Sequence, residues 1–172
     1  AFKLLWIMIV VEEILDNVFS QLPQMYGYKP IFDWGNYEHL NSLMKLYASN
    51  SKSIYPLIYK TSVGSSQLVE QYAEIDLILV LAVQNTETSL INRERWAMSY
   101  KNILYPLVDN IEKCFDQVPV FIWDKKYKIK EYPNYGNDDK NKATDIWDAI
   151  EFTTKIKITH QNKDCDIQTI NF

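Results

Sequence analysis

Few side chains in this sequence could do chemistry, and they are thinly spread. The histidines are His39 and His160, and the cysteines are Cys114 and Cys165. No Cys-x-x-Cys or His-x-x-x-His spacing joins them, so no metal set is expected. Neither histidine sits in a signature for a Cys-His or Ser-His nucleophile. A magnesium-dependent nuclease would want clustered carboxylates and a lysine at strand ends. Glu74 and Asp76 open one apolar run, and Lys60 closes the run before it. Solvated strand ends explain these charges better, because burying them unpaired would be costly. The expectation is therefore a protein with no catalytic residues, no metal and no cofactor, and not an enzyme.

Basic residues offer contacts instead. Arg93 and Arg95 fall in the first turn of a helix pattern, where the macrodipole disfavours cations. That placement calls for an acidic partner, which could be Glu94, Glu87 or a group on another subunit. The plain alternative is an exposed ion pair, worth little. Lys125 and Lys126 read as a hairpin tip. Tips are usually solvated, but a projecting tip can dock on a partner. Arg93, Arg95, Lys125 and Lys126 are thus the candidates for subunit or partner contact.

The elements that must position these residues follow from hydrophobic period. Over residues 74–84, Ile75, Leu77, Leu79, Leu81 and Val83 alternate onto one face, and Ile78, Val80 and Ala82 onto the other. Both faces are apolar, as in a strand covered on both sides or one central in its sheet. A polar turn follows at 85–89. Trp96, Tyr100, Ile103, Leu104, Leu107, Val108, Ile111 and Phe115 then recur at helical spacing in one stripe. Thr88, Ser89 and Asn92 are its possible N-caps, and Pro106 should kink it.

Residues 2–19 read as a helix. Its start is apolar all round, and Glu12, Glu13, Asp16 and Asn17 then make it amphipathic. Only Lys3 precedes the apolar run and no small-residue cleavage site follows, which speaks against a secretory signal. The run is also short of the roughly 20 residues that cross a bilayer. Burial in the core or against a neighbouring subunit is expected. Residues 23–35 look irregular, pinned by Tyr26, Tyr28, Phe32 and Trp34. A short helix starting at Asn36 runs through Leu46, and 53–60 reads as a strand with Pro56 near its start or on an edge. It should pair antiparallel with the central strand, whose lead-in is 68–73. Short strands at 118–123 and 127–132, a loop at 133–142 and a closing strand at 151–160 complete the chain. Residues 143–150 are ambiguous between these elements. The expected fold class is α+β: one domain over 1–172, a mostly antiparallel sheet with a long helix packed on one face, and an N-terminal helix.

Composition bounds the function. The 172 residues are 47% hydrophobic, a globular composition. Four glycines leave little for a phosphate-binding loop. The net charge of −4, without a Lys/Arg block, argues against a nucleic-acid surface. Two cysteines make no disulfide framework, so a reducing compartment is the simpler reading. The 12 Tyr and 5 Trp favour half-buried positions and interfaces, a hint of assembly.

A family resemblance adds to this. The segment Tyr55-Pro56-Leu57-Ile58-Tyr59, the strand ending Val83-Gln84-Asn85-Thr86, and Arg95-Trp96 followed by Tyr105-Pro106-Leu107 resemble tail terminator (tail-completion) proteins of tailed bacteriophages. The stretch Asp145-Ile146-Trp147-Asp148-Ala149-Ile150-Glu151-Phe152 resembles their C-terminal part. The similarity spans residues 36–160 and rests on loose, apolar motifs. It implies a small α+β fold and a structural virion protein without catalytic residues. It also implies a ring, usually a hexamer, that caps the tail tube and joins it to the head connector. The expected partners are copies of itself and tail-tube and neck proteins, with no membrane and no sequence-specific nucleic-acid binding. The expected place is the head–tail junction of a virion made in the bacterial cytoplasm. A head-completion adaptor of the neck is the nearest alternative. A metal-dependent nuclease around Glu74, Asp76 and Lys60, or a ligand-binding module with a closed apolar pocket, are the more distant ones.

Overall fold

A computed structural model describes residues 2–25, 27, 29–49, 56–61, 66–69, 72–85, 92–135, 146–159 and 169–172. In chain order the elements are α1 (Phe2–Phe19), β1 (Ile31–Gly35), α2 (Tyr37–Ser49), β2 (Leu57–Thr61), β3 (Ser66–Val69) and β4 (Tyr72–Asn85). A helical run follows, made of α3 (Asn92–Trp96), a π-helical stretch (Ala97–Leu104) and α4 (Tyr105–Gln117). Then come β5 (Phe121–Ile122), β6 (Tyr127–Tyr135) and β7 (Ile146–Thr159). The fold is α+β, with one mixed seven-stranded sheet.

The sheet is built around β4 and β7. They pair antiparallel along their whole length, from Tyr72↔Thr159 to Asn85↔Ile146. On the far side of β4, β2 and β3 lie end to end, and both are antiparallel to it. On the far side of β7, β6 and β5 do the same. The ambiguous residues at the start of β7 are thus strand from Ile146 on. Trp147, Asp148, Ala149 and Ile150 are all buried there, so the alternation that marks a half-wet strand is missing.

Residues 31–35 are not irregular. They form β1, the outermost strand, and it pairs parallel to β2. The parallel pair follows from α2, which lies between the two strands in sequence and carries the chain back to the same end of the sheet. With only five residues and Asp33 in the middle, β1 has too little alternation to stand out in sequence.

Helices cover both faces of the sheet, where the sequence led us to expect one. On one face α1 and the helical run pack through Leu15, Phe19, Leu104, Leu107 and Ile111 onto Leu77, Leu79, Leu81, Phe152 and Ile156. Phe115 is the hub of this core, with Phe121 at 5.4 Å, Trp123 at 5.5 Å and Phe19 and Phe152 at 6.3 Å. On the other face α2 sets Leu40 and Met44 against Leu57, Tyr59, Val80, Ala82, Trp147 and Ala149. The second apolar face of β4 is therefore satisfied by α2, within the chain.

The helical run departs from the simple kink expected at Pro106. In an α-helix the proline ring presses on the carbonyl four residues back. Here Pro106 stands in the first turn of α4, and the chain before it winds in wide π turns. Tyr105 N–H donates to Tyr100 O, five residues back. The buried stripe persists through the wide turns as Tyr100, Ile103 and Leu104 and passes into Leu107, Val108, Ile111 and Phe115. The run ends where Val118 turns extended and its N–H donates to Cys114 O. Asn92 is the first residue of α3, whereas Thr88 and Ser89 lie outside the described residues.

Candidate functional site

Of the four basic candidates, Arg95 is the one built into the fold. Its Nε donates to Asp148 Oδ2 at 3.1 Å and its Nη2 to Asp148 Oδ1. Asp148 is wholly buried and the Arg95 side chain is 13% exposed. The fork ties the start of the helical run to β7, and a bidentate Arg–carboxylate pair is the strong form of such a bond. The acidic partner inferred from helix position is real, but it is Asp148 in the same chain. Glu94 does not supply it, and Glu87 lies outside the described residues. Only Asp148's place inside an apolar run hinted at it, since a buried carboxylate needs a partner. Below the fork, Tyr100 Oη donates to Ala149 O at 3.4 Å. Burial pushes the Tyr100 phenol up, and Asp148 and Glu131 add to the shift. Arg93 stays exposed at the surface.

Lys60 is the second buried cation. Its Nζ lies 2.8 Å from Glu12 Oε1, both side chains being 11% exposed. Glu12 therefore belongs to the buried side of α1, unlike the exposed Glu13 and Asp16. The pair fastens α1 to β2. It also takes apart the nuclease constellation. Lys60 stands across from Leu79 and shares its face, the one covered by α1. Glu74 and Asp76 alternate to the opposite face, where Lys155 lies at 4.0 and 3.7 Å. A sheet separates the lysine from the two carboxylates, and no strand-end reading could foresee that.

Lys125 and Lys126 are not at a hairpin tip. Ile122 stands across from Lys157 and Tyr127 across from Thr154, so residues 123–126 bulge out against just Lys155 and Ile156. The strands β5 and β6 are two parts of one edge. Thr154 Oγ1 anchors the bulge, accepting from Trp123 Nε1 at 2.8 Å and donating to Lys126 O at 2.6 Å. Lys125 takes the left-handed conformation the bulge requires, φ 62°. Its Nζ reaches Asp116 at 3.0 Å, and Lys126 reaches Asp124 at 3.8 Å. Both lysines are well exposed, so these pairs contribute little to stability.

The remaining reactive groups are scattered. His39 Nε2 stands 3.6 Å from Asp33 Oδ2 at the edge of the sheet. Cys114 is a core residue as expected, with its thiol pushed up to about 12 by burial. His160 and Cys165 lie outside the described residues. Among the described residues no group of three or more His, Cys, Asp or Glu could hold a metal ion. No described helix is long and apolar enough to cross a membrane.

What the geometry does expose is sheet edge. The outer strands are β1 and β3 on one side and β5 and β6 on the other; among the described residues β1 and β6 have no strand on their outer sides. Trp34 on β1 is 45% exposed and Ile129 on β6 is 41% exposed. Compared with protein-family models, with curated proteins and with solved structures, the chain matches none.

Proposed function

We propose that this chain is a structural virion protein that assembles into a ring, capping a phage tail tube and joining it to the head connector. The observation that carries this is the open sheet with, among the described residues, a free strand at each end. A subunit with two different free edges can associate head to tail, and such contacts close into a ring when the rotation allows. The placement of the charges is in keeping with a building block. Arg95–Asp148 and Lys60–Glu12 each fasten one element to another inside the fold. The resemblance to tail terminator proteins supplies the tail end as the site of assembly.

Electron microscopy of the purified chain tests this. Closed rings of a fixed subunit number are expected, together with density for the chain at the head–tail junction of particles. A strict monomer, both at high concentration and in particles, would overturn it.

A further inference from the structure

The two free edges are complementary to each other, face by face. Following the pairings from β1 through β2, β4 and β7 to β6 shows that β1 and β6 run in opposite directions. Side chains alternate along each. On β1, Ile31 and Asp33 share the α2 face with Leu57 and Tyr59, and Trp34 shares the α1 face with Lys60. On β6, Lys128 and Lys130 stand across from Thr153 and Glu151 on the α2 face, and Ile129 across from Phe152 on the α1 face. A carboxylate on one edge thus matches lysines on the other, on the same side of the sheet. The exposed Trp34 likewise matches the exposed Ile129.

The backbone of β1 is also arranged for it. Ile31 N–H donates inward to Pro56 O at 2.9 Å, so by alternation the Phe32 and Trp34 N–H groups point away from β2. The Trp34 N–H is held by Asp33 Oδ1 at 2.7 Å. A side chain here satisfies a donor that a neighbouring strand would otherwise take. If Asp33 turns to a lysine, that N–H is released for a carbonyl on the incoming strand.

We infer that β1 of one copy pairs antiparallel with β6 of a second copy, with Asp33 across from Lys130, Trp34 across from Ile129 and Ile31 across from Tyr132. This rests on the ring reading and assigns its contact. The pairing stops short of Pro133, which has no N–H to give. Like-with-like pairing is disfavoured, because β6 on β6 brings Lys128 and Lys130 against themselves, and like charges across a ladder repel. The second copy therefore joins head to tail, leaving one β1 and one β6 edge free for further copies.

Charge reversal on the full chain tests the contact by light scattering across a dilution series. Asp33→Lys alone, and Lys128→Asp with Lys130→Asp, are each expected to weaken self-association by roughly tenfold or more. All three together restore complementarity and should return assembly to near the wild-type midpoint, with melting curves showing each variant folded. Independently, oxidising a chain carrying Trp34→Cys and Ile129→Cys should give a ladder of disulfide-linked oligomers, and either substitution alone should not. Wild-type oligomers that ignore both reversals and give no ladder overturn the edge assignment and leave the ring reading intact. A wild-type chain that stays monomeric at high concentration overturns both. Dimers linked through Trp34→Cys alone would mean a symmetric β1 contact and also overturn the assignment.

Discussion

Arg95 and Asp148 are 53 residues apart in sequence and meet as a bidentate pair between the helical run and the inner strand β7. Asp148 is fully buried, so it cannot be left alone without a large penalty. Truncating Arg95→Ala should therefore lower stability by about 3–5 kcal/mol. Replacing both residues together, as Arg95→Met with Asp148→Leu, should cost far less than either single change, because no charge is stranded. Urea unfolding followed by circular dichroism measures all three. Equal losses for the single and double variants would mean that the fork contributes nothing as a pair.

The second core predicts a cost on the far face of the sheet. Leu40 is completely buried, between α2 and β2 with β4. Leu40→Ala should destabilise the chain by about 2–5 kcal/mol. A change within a few tenths of a kcal/mol would show that α2 does not cover that face in solution.

Gly35 has φ +146°, and an added Cβ would lie 2.7 Å from Tyr59 Oη. That hydroxyl donates to Asn36 O at 2.9 Å and cannot move freely. Gly35→Ala should cost about 1–3 kcal/mol from backbone strain alone, with the clash in addition. A melting temperature for Gly35→Ala equal to that of wild type would refute the strain.

Alkaline pH should unfold the chain early. Burial raises the Cys114 thiol from its ordinary 9.0 to about 12, and raises Tyr59 from 10.0 to about 12 with help from Asp33. Both groups hold their protons more tightly when folded. Their contribution is therefore fully present below pH 9, begins to fall as the unfolded groups titrate, and is lost as pH rises through about 12. Denaturant midpoints measured from pH 8 upward should decline monotonically, with tyrosinate absorbance appearing at the unfolding transition. A flat midpoint through pH 11 would contradict this.

Much of the fold was legible because its signals are periodic and local. The double-sided alternation of 74–84 is the centre of β4, and the spaced stripe from Tyr100 to Phe115 is the buried side of the helical run, whereas Trp96 at its head is 45% exposed. Antiparallel pairing of the strand near Pro56 with β4 also follows from order and length. β1 was not legible, because five residues with an aspartate in the middle carry no period. The bulge at 123–126 has the sequence of a hairpin, because a break between two short apolar runs looks alike whether the chain reverses or continues along the same edge.

The charged residues divide the same way. By itself the sequence determined that Arg95, placed at a helix start, calls for an acid, and that both faces of β4 are apolar. Both are demands of local chemistry, namely the dipole of one helix and the two faces of one strand. Which acid, and which cover, was decided by tertiary structure alone. Asp148 reaches Arg95, Glu12 reaches Lys60, and Lys60 is parted from Glu74 and Asp76, because strand register and side-chain alternation send residues to one face or the other. A single-residue shift in register would reverse every one of those assignments.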